Sequence, residues 1–370
     1  MKVALMHEWL SGYAGAERVL EQLIAMYPQA DVFAIVDFLP EGQRAFLQGR
    51  PVRTTFIQRL PFARKRFRAY LGLMPLAVEQ IDLSGYDLVI SVNHAIAKGV
   101  LTGPDTVHVS YVCSPIRYAW DLQHQYLRQA DLERGLKSAY VRWQLSKLRQ
   151  WDVRTANGVD VFVALSDYIA RRIQKCYRRS SELVAPPVDV ARFALHEEKS
   201  ARYLLASRMV PYKLMDLVVA AFAKMPGRAL DGVGDGPERA RIVAAAGGAA
   251  NIRFLGAVPT DELVGLMQEA RAFLFAAEED FGIMMVEALA CGTPVIAFGR
   301  GGARDILTAE SGLFFDEQTV PAVIDAVARF EAGAFSSVAC RANAERFSQA
   351  AFRARMGAVV NAAMAAGVQG

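Results

Sequence analysis

An arginine and a lysine share one loop in the second half of the chain. Arg208 and Lys213 follow the apolar run Arg202–Ala206 and precede Leu214–Met225, which has helical spacing. Open parallel sheets bind ligands at the carboxyl ends of their strands. Two cations there suit a diphosphate, because arginine supplies a planar fork of donors and lysine a compact charge. Taken alone, loop cations are more often simply solvated, so the pair is a candidate anion site that needs further support.

The most specific pattern is an acidic segment that opens a helix. Glu279 follows the apolar strand Ala272–Phe275, and Glu287 comes eight residues later, inside the predicted helix. Two carboxylates so placed would contact different parts of one extended ligand, such as the hydroxyls of a sugar and of a ribose. Gly282 permits close backbone approach, and the amides around Ile283 at the helix N-terminus suit a phosphate. An acidic first turn that complements the helix dipole would leave Glu287 unexplained.

A turn of small residues follows the first predicted strand, Lys2–Met6. It contains Gly12, Gly15 and Ala16 and precedes a run with helical spacing. Small residues let backbone amides approach an anion at a helix N-terminus. The turn is not a full G-x-G-x-x-G, so a tight structural turn is an equally good interpretation of this segment by itself.

Strands and helices alternate in both halves, which predicts parallel sheets covered on both faces. The predicted strands are Lys2–Met6, Asp31–Val36, Asp87–Val92, Thr106–Val112, Val159–Leu165, Arg202–Ala206, Asn251–Leu255, Ala272–Phe275 and Pro294–Ala297. The predicted helices include Leu122–Arg154, Leu214–Met225, Asp261–Ala270 and Gly282–Ala290.

The pattern pauses near Pro186-Pro187, since adjacent prolines are poor in a helix or a central strand. We therefore predict an N-terminal domain over 1–185 and a C-terminal domain over 186–345. A helical segment over 346–370 has no following strand to serve and is expected to pack back across the domain junction.

Composition is that of a globular protein: 370 residues, 53% apolar and 22% charged. No apolar run approaches the ~18 residues of a membrane span, and the N-terminus does not have the pattern of a secretory signal. The four cysteines are scattered without metal-ligand spacing. Together these observations predict a cytoplasmic protein with reduced thiols.

Two basic groups interrupt a nearly neutral chain. The first, Arg59–Arg68, alternates cations with apolar and aromatic residues, and the second spans Arg171–Arg179. Both fit solvated helix faces, but basic residues beside aromatic ones also suit an anionic lipid surface. No recognition motif accompanies the charge, so nucleic acid is not an expected partner.

The chemistry-bearing segments resemble those of glycosyltransferase family four, the large group of retaining enzymes with the GT-B fold. The matching segments are Arg208 with Lys213, the E-x7-E pair Glu279 and Glu287, Gly234-Asp235-Gly236-Pro237, Phe254-Leu255-Gly256 and Ala14-Gly15-Ala16-Glu17. In the last of these an alanine replaces one family glycine. Tyr111–Asp121 resembles a subgroup of bacterial mannosyltransferases that build O-antigen and exopolysaccharide repeats, with Cys113 where relatives often have histidine.

The resemblance implies an α/β protein with two Rossmann-like, doubly wound domains facing across a cleft. Arg208 and Lys213 would neutralise the donor diphosphate, Glu279 would hold the donor sugar and Glu287 the ribose. The other implied donor-binding positions are Gly12, Gly15, Ala16, Gly256, Phe281, Gly282 and Ile283. The acceptor-side candidates are His94, Cys113, Arg117 and Tyr118.

The implied reaction is transfer of a hexose without a bound metal or cofactor, with mannose from GDP-mannose expected first and a UDP- or dTDP-sugar next. The implied acceptor is a lipid-linked saccharide at the inner face of the cell membrane, to which the enzyme attaches peripherally. Two alternatives remain open at this point. One is a nucleotide-sugar 2-epimerase of the same fold, which would be expected to use additional histidines. The other is a non-catalytic protein that binds sugar nucleotides or a membrane surface.

Overall fold

The computed structural model describes residues 1–367, which form two compact units. The first comprises Met1–Pro187 together with the described residues from Phe352 onward, and the second comprises Val188–Ala351. The predicted C-terminal segment 346–370 runs into residues 368–370, which lie outside the described part of the chain.

The first unit is built on a parallel sheet with strand order β3-β2-β1-β4-β5-β6-β7. Its strands are β1 (Val3–His7), β2 (Asp31–Ala34), β3 (Val52–Thr54), β4 (Leu88–Asn93), β5 (Val107–Val112), β6 (Val161–Ala164) and β7 (Glu182–Leu183). The helices that alternate with them are α1 (Gly15–Met26), α2 (Ala63–Arg66), α3 (Met74–Glu79), α4 (Gln123–Gln129), α5 (Leu136–Thr155) and α6 (Asp167–Tyr177). Strands β1, β4 and β5 are buried along their whole length, as expected for a sheet covered on both faces.

The second unit repeats this plan with strand order β10-β9-β8-β11-β12-β13, again wholly parallel. Its strands are β8 (Arg202–Ala206), β9 (Ala229–Val233), β10 (Ile252–Gly256), β11 (Phe273–Phe275), β12 (Val295–Phe298) and β13 (Gly312–Phe315). Its helices are α7 (Met215–Ala223), α8 (Arg239–Ala245), α9 (Thr260–Glu269), α10 (Ile283–Ala290), α11 (Ala303–Ile306), α12 (Val320–Ala332) and α13 (Ser337–Glu345), followed by α14 (Gln349–Gly367).

Short 3₁₀ segments complete the described secondary structure. They are Glu41–Gln43, Ala45–Leu47, Phe56–Arg59, Phe67–Leu73, Ala97–Gly99, Ala156–Gly158, Val190–Arg192 and Pro211–Lys213. Among the helices of residues 1–367, none is both long enough and apolar enough to cross a bilayer.

The predicted fold class, α/β with two doubly wound parallel sheets, is confirmed, but several elements differ from prediction. The predicted helix Leu122–Arg154 is two helices, α4 and α5, because Asp131 and Gly135 between them adopt φ values of +52° and +89° that an α-helix cannot contain. Strand β9 was not predicted because its sequence includes Asp231. That carboxylate is held by Arg202 at the start of β8 and by Arg253 on β10, so its charge is compensated within the sheet.

Helix α14 packs on the first unit from Phe352 onward. The Phe352 ring meets Tyr111 of β5 edge to face with centroids 5.9 Å apart. Arg353 donates to the Gln22 side chain of α1. These contacts join a helix that follows the second unit in sequence to the sheet that precedes it.

A fully buried ion pair ties the segment after β4 to helix α5. The Nζ atom of Lys98 lies 2.7 Å from an Asp152 carboxylate oxygen, and both side chains are 0% exposed. Asp152 also accepts hydrogen bonds from Trp120 Nε1 at 2.7 Å and from the Tyr177 hydroxyl at 3.0 Å. Burial lowers the pKa of Lys98, and the nearby Asp152 carboxylate opposes that shift.

We expect Lys98→Met to lower the free energy of unfolding by about 3–5 kcal/mol, because it leaves the Asp152 charge buried without a cation. Lys98→Met with Asp152→Asn should lose much less, since the amide oxygen still accepts from Trp120 and Tyr177. The surface pair of Arg241 with Asp216 gives the control, and Arg241→Met should cost under ~1 kcal/mol. Denaturant unfolding measures all three, and a Lys98→Met protein as stable as the parent would contradict this account.

Candidate functional site

The strand orders place a topological switch point between β8 and β11 in the second unit. Strand β8 is flanked by β9 on one side and β11 on the other, so the connections leaving β8 and β11 run to opposite faces. Ligands of open α/β sheets bind at the carboxyl ends of the strands on either side of such a point. Arg208 and Lys213 follow β8, and Glu279 follows β11, so the sequence-predicted charges occupy this position.

The loop that carries Arg208 is fixed by the turn after β9. A Cβ added at Gly234 would lie 1.8 Å from the Ser207 carbonyl oxygen, and one at Gly236 would lie 2.4 Å from that of Met209. The Met209 amide donates to the Asp235 carbonyl at 2.9 Å. The Gly-Asp-Gly-Pro turn therefore packs backbone to backbone against the Arg208 loop, and only glycine fits at positions 234 and 236.

The loop that carries Glu279 is fixed in the same way by the turn after β12. The Gly302 amide donates to the Glu279 carbonyl at 2.8 Å. A Cβ at Gly301 would lie 2.2 Å from that same oxygen, and one at Gly302 would lie 2.4 Å from the Phe281 Cα. Sequence reasoning missed this glycine pair. The available signal was two consecutive glycines that begin three residues after the end of a buried strand.

Lys213 and Glu279 form an ion pair between these two loops. The two side chains are only 15% and 18% exposed. The Lys213 ammonium also lies 5.6 Å from the ring centroids of Tyr212 and Phe275. Leu214, the next residue, has a φ of +50°, a left-handed conformation that is uncommon for a large apolar residue. Backbone strain of this kind concentrates at functional positions.

Arg208 lies on the same loop but is exposed. Its guanidinium donates a long, 3.4 Å hydrogen bond to the Tyr212 hydroxyl. The loop thus presents one cation that is held in place, Lys213, and one that extends toward solvent. An anion bound at the carboxyl edge could contact both cations, because Arg208 and Lys213 belong to the same loop.

Helix α10 brings the remaining second-unit candidates to this edge. Gly282 precedes it with a φ of +104°, and Ile283 is its first residue. First-turn amides of a helix have no intrahelical acceptor and attract anions. Glu287 is 92% buried on the same helix, four residues after Ile283. It therefore lies one turn into the helix, closer to its start than the two turns that the sequence suggested.

Gly256, the predicted site residue that ends β10, has a φ of +72°, and its carbonyl accepts from the Gly234 amide at 2.7 Å. The carboxyl ends of β9 and β10 are joined by this bond. The second unit therefore collects Arg208, Lys213, Gly256, Glu279, Phe281, Gly282, Ile283 and Glu287 at the carboxyl edge of one sheet.

The first unit has an equivalent switch point between β1 and β4. Gly12 lies in the turn after β1, and Gly15 and Ala16 begin helix α1. Glu17 accepts from the Ala14 amide at 2.9 Å and lies 3.2 Å from the Nε2 atom of buried His7. Burial raises the pKa of Glu17, but the hydrogen bond and charge of His7, together with hydrogen bonds from the Ala14 and Glu17 backbone amides, outweigh it and lower the pKa below the ordinary value. The turn is thus anchored to the strand that precedes it.

Glu8 also lies at the carboxyl edge of the first sheet, and the sequence analysis did not predict a role for it. Its side chain is fully buried, and its carboxylate accepts from the backbone amides of the loop after β4, including those of His94 at 3.1 Å and Ala95 at 3.0 Å. A buried carboxylate is stable when backbone amides bind it in this way. Glu8 therefore determines where the loop that carries His94 lies.

The acceptor-side candidates surround this loop. About a third of the His94 side chain is exposed. Desolvation by burial lowers the pKa of His94, the Glu8 charge raises it, and Arg117 is among the cations that lower it further. Burial raises the pKa of Tyr118, and the Glu8 charge adds to the rise. His94, Arg117 and Tyr118 are therefore near enough to Glu8 to interact with it or with each other electrostatically.

Cys113 follows β5, and its amide donates to the Asn93 carbonyl at 2.8 Å, so it neighbours the end of β4. Its side chain is partly exposed. In the part of the chain that the structure describes, no three His, Cys, Asp or Glu side chains lie close enough together to hold a metal ion.

Comparisons with known proteins bear on both units. Residues 189–351 match the family model described as glycosyl transferases group 1. A GDP-mannose-dependent alpha-(1-6)-phosphatidylinositol monomannoside mannosyltransferase of Mycobacterium tuberculosis is 35% identical over 205 residues. That match covers 47% of this chain and 53% of the relative. The chain spans about half the length of the curated relatives it matches.

Solved structures share the fold over nearly the whole chain. A lipopolysaccharide outer core galactosyltransferase in its apo form has a TM-score of 0.71 at 17% identity, covering 98% of this chain and 99% of that one. An Anabaena protein in complex with UDP has a TM-score of 0.68 at 16% identity, covering 98% and 100%. These structural similarities show that the chain shares the fold of these two proteins.

The close contact at Gly301 predicts a stability difference between two glycines with positive φ. Gly248→Ala meets open space at a φ of +80° and should cost about 1–2 kcal/mol of conformational strain. Gly301→Ala has the same strain and must also displace the Glu279 backbone, which should add about 1–3 kcal/mol. Denaturant unfolding of both variants checks this, and equal losses would mean that the Glu279 loop is not held by Gly301.

Proposed function

We propose that this chain is a retaining glycosyltransferase that moves a hexose from a nucleotide sugar to a lipid-linked or oligosaccharide acceptor in surface polysaccharide synthesis. The observation that carries the proposal is the ion pair of Lys213 with Glu279 at the switch point of the second unit, beside Arg208 and the N-terminus of α10. A cation, a carboxylate and first-turn amides at one edge suit a molecule that is part diphosphate and part sugar.

Arg208 and Lys213 would bind the donor diphosphate and stabilise the charge that grows on it as the glycosidic bond breaks. Such stabilisation is most effective when the charged groups are already in position. The Lys213 ammonium meets this condition, because Glu279 and two aromatic rings hold it before any donor arrives. The leaving phosphate would accept the proton of the acceptor hydroxyl, so no nucleophile or metal from the protein is assigned a role.

Glu279 would accept hydrogen bonds from hydroxyls of the donor sugar, and Glu287 from the ribose. The ion pair then has a second consequence. A carboxylate paired with Lys213 lies next to the diphosphate position, so the sugar hydroxyls it binds belong to the ring attached to that diphosphate. Backbone amides at Gly282 and Ile283 would add phosphate contacts.

GDP-mannose is the favoured donor. The support is the mycobacterial relative, which is GDP-mannose-dependent, together with the mannosyltransferase-like segment Tyr111–Asp121. The Anabaena structure contains UDP, so UDP-sugars are the next candidates. His94, Cys113, Arg117 and Tyr118 are proposed for the acceptor, and the setting is proposed to be the cytoplasmic face of an anionic membrane.

Loss of either diphosphate-binding cation should slow turnover more than it weakens donor binding. At saturating donor we expect Arg208→Ala and Lys213→Ala each to lower kcat by about 100-fold or more. Glu287→Ala should mainly raise KM, because a ribose contact is made in ground and transition states alike. Lys224→Ala, a change at an exposed lysine at the end of α7, is the matched control.

Transfer of labelled sugar, measured beside a donor-binding titration, distinguishes these effects. Near-normal turnover of Lys213→Ala at saturation would remove the leaving-group role. The edge would then be an anion-binding site, and the non-catalytic alternative would be favoured.

Donor identity is tested by thermal unfolding of the full chain with a panel of nucleotide sugars. A ligand that binds the native state at one hundred times its Kd stabilises the protein by about 2.7 kcal/mol. GDP-mannose should therefore raise Tm more than UDP-glucose, UDP-galactose or a dTDP-sugar at equal concentration. A larger shift with a UDP-sugar would correct the donor and leave the transferase proposal standing, whereas no shift with any donor would count against both.

A further inference from the structure

Helix α5 of the first unit carries an apolar stripe that faces solvent. Leu136 is 92% exposed, Tyr140 59% and Trp143 54%. These positions recur at intervals of four and three residues, so they lie along one face of the helix. Leucine, tyrosine and tryptophan side chains exposed side by side on one helix are unusual in a soluble surface and indicate an interaction site.

A second exposed apolar set lies on the segment 56–76. Phe62 is 77% exposed and Leu76 53%. Phe62 also has a φ of +58°, a conformation that bulky residues rarely adopt. A Cβ added at Gly72 would lie 3.1 Å from the side-chain oxygen of Gln144 on α5, and Gln144 itself donates to the Tyr140 hydroxyl at 2.8 Å. The segment 56–76 and the stripe of α5 therefore adjoin.

The charged residues within both segments are of one sign. No Asp or Glu occurs between positions 42 and 78, or between 134 and 151. Arg64, Lys65 and Arg66 are exposed, and within residues 1–367 none of the three has an ion-pair partner. These cations are available to an anionic partner.

The other basic group, Arg171–Arg179, differs in this respect. Arg171 pairs with Asp167 at 2.9 Å, Arg172 is buried against Ser114 and Asp121, and Arg179 donates to backbone carbonyls. Its charges are largely used within the first unit. The cations of Arg171–Arg179 are therefore only partly solvated. We do not assign membrane attachment to this group.

We propose that the stripe of α5 and the segment 56–76 form one membrane-docking surface, on which Leu136, Tyr140 and Trp143 insert between lipid head groups while Arg64, Lys65 and Arg66 bind their phosphates. Amphipathic rings and basic side chains beside apolar ones suit that interface. A second copy of the chain is disfavoured, because a symmetric contact would bring these cations against each other. The inference rests on the proposed peripheral attachment and adds the side chains that insert.

Binding of the full chain to phosphatidylcholine vesicles, with and without phosphatidylglycerol, tests the surface. Each basic residue near an anionic membrane strengthens binding about fivefold, so R64S/K65S/R66S should weaken binding to anionic vesicles about 100-fold. R171S/K175S/R178S removes three charges elsewhere on the same unit and should weaken it less than about tenfold. L136A/Y140A/W143A should weaken it about tenfold or more, whereas L101A/V243A/V338A, which removes exposed apolar groups elsewhere, should not.

Tryptophan fluorescence gives a readout that depends on insertion rather than on folding. Trp143 is more exposed than the other three tryptophans, so its emission should shift to shorter wavelength when anionic vesicles are added, and W143F should abolish the shift. Equal binding to both vesicle types, or an equal loss in the two charge variants, would overturn the proposal. A monomer–dimer equilibrium that L136A/Y140A/W143A abolishes, with vesicle binding unchanged, would instead identify a second copy as the partner. The vesicles contain no nucleotide sugar, so failure here leaves the transfer proposal to its own kinetic test.

Discussion

Backbone-to-backbone packing at the carboxyl edge of the second sheet is the constraint on which the candidate site depends. Gly234 and Gly236 press against the loop of Arg208, and Gly301 and Gly302 press against the loop of Glu279, at distances that leave no room for a Cβ. The loops that carry opposite charges are thus fixed by their neighbours rather than by the charges. The Lys213–Glu279 ion pair can then form without a further loss of loop conformational entropy. A preorganised site requires groups that are fixed in this way.

In the first unit, a different kind of interaction holds the loops at the carboxyl edge of the sheet. Its edge is organised by buried charges: Glu8 binds the amides of the loop after β4, and Lys98, five residues beyond Asn93, binds Asp152 of α5. The Lys98 amide also donates to the Asn93 side chain at 3.0 Å. The helix that carries the proposed docking stripe and the loop that carries His94 therefore share one buried polar network.

Much of this architecture follows from local sequence signals. Apolar runs such as Arg202–Ala206 and Ala272–Phe275 predict buried parallel strands because both faces of such a sheet are covered. The charged candidates after β8 and β11 could be placed at one edge for the same reason. Strand β9 could not be predicted, because Asp231 is acceptable there only once Arg202 and Arg253 lie on either side of it. The role of Glu8 was also out of reach, since its amide partners lie some ninety positions away in sequence. Exposure of Trp143 depends on which face of α5 packs inward, which a weakly periodic helix does not reveal.

Helix α14 has a consequence for the order in which the protein assembles on the ribosome. Its contacts with β5 and α1 complete the first unit, yet its codons follow those of the entire second unit. At about 5–20 residues per second, roughly 10–30 s separate the emergence of β7 from that of α14. During this interval the nascent chain holds a sheet whose covering helix does not yet exist, and apolar surface around Tyr111 is open to chaperones. The second unit is contiguous in sequence and is free to fold as it is translated. The first unit is therefore the first to be translated and the last to complete its folding.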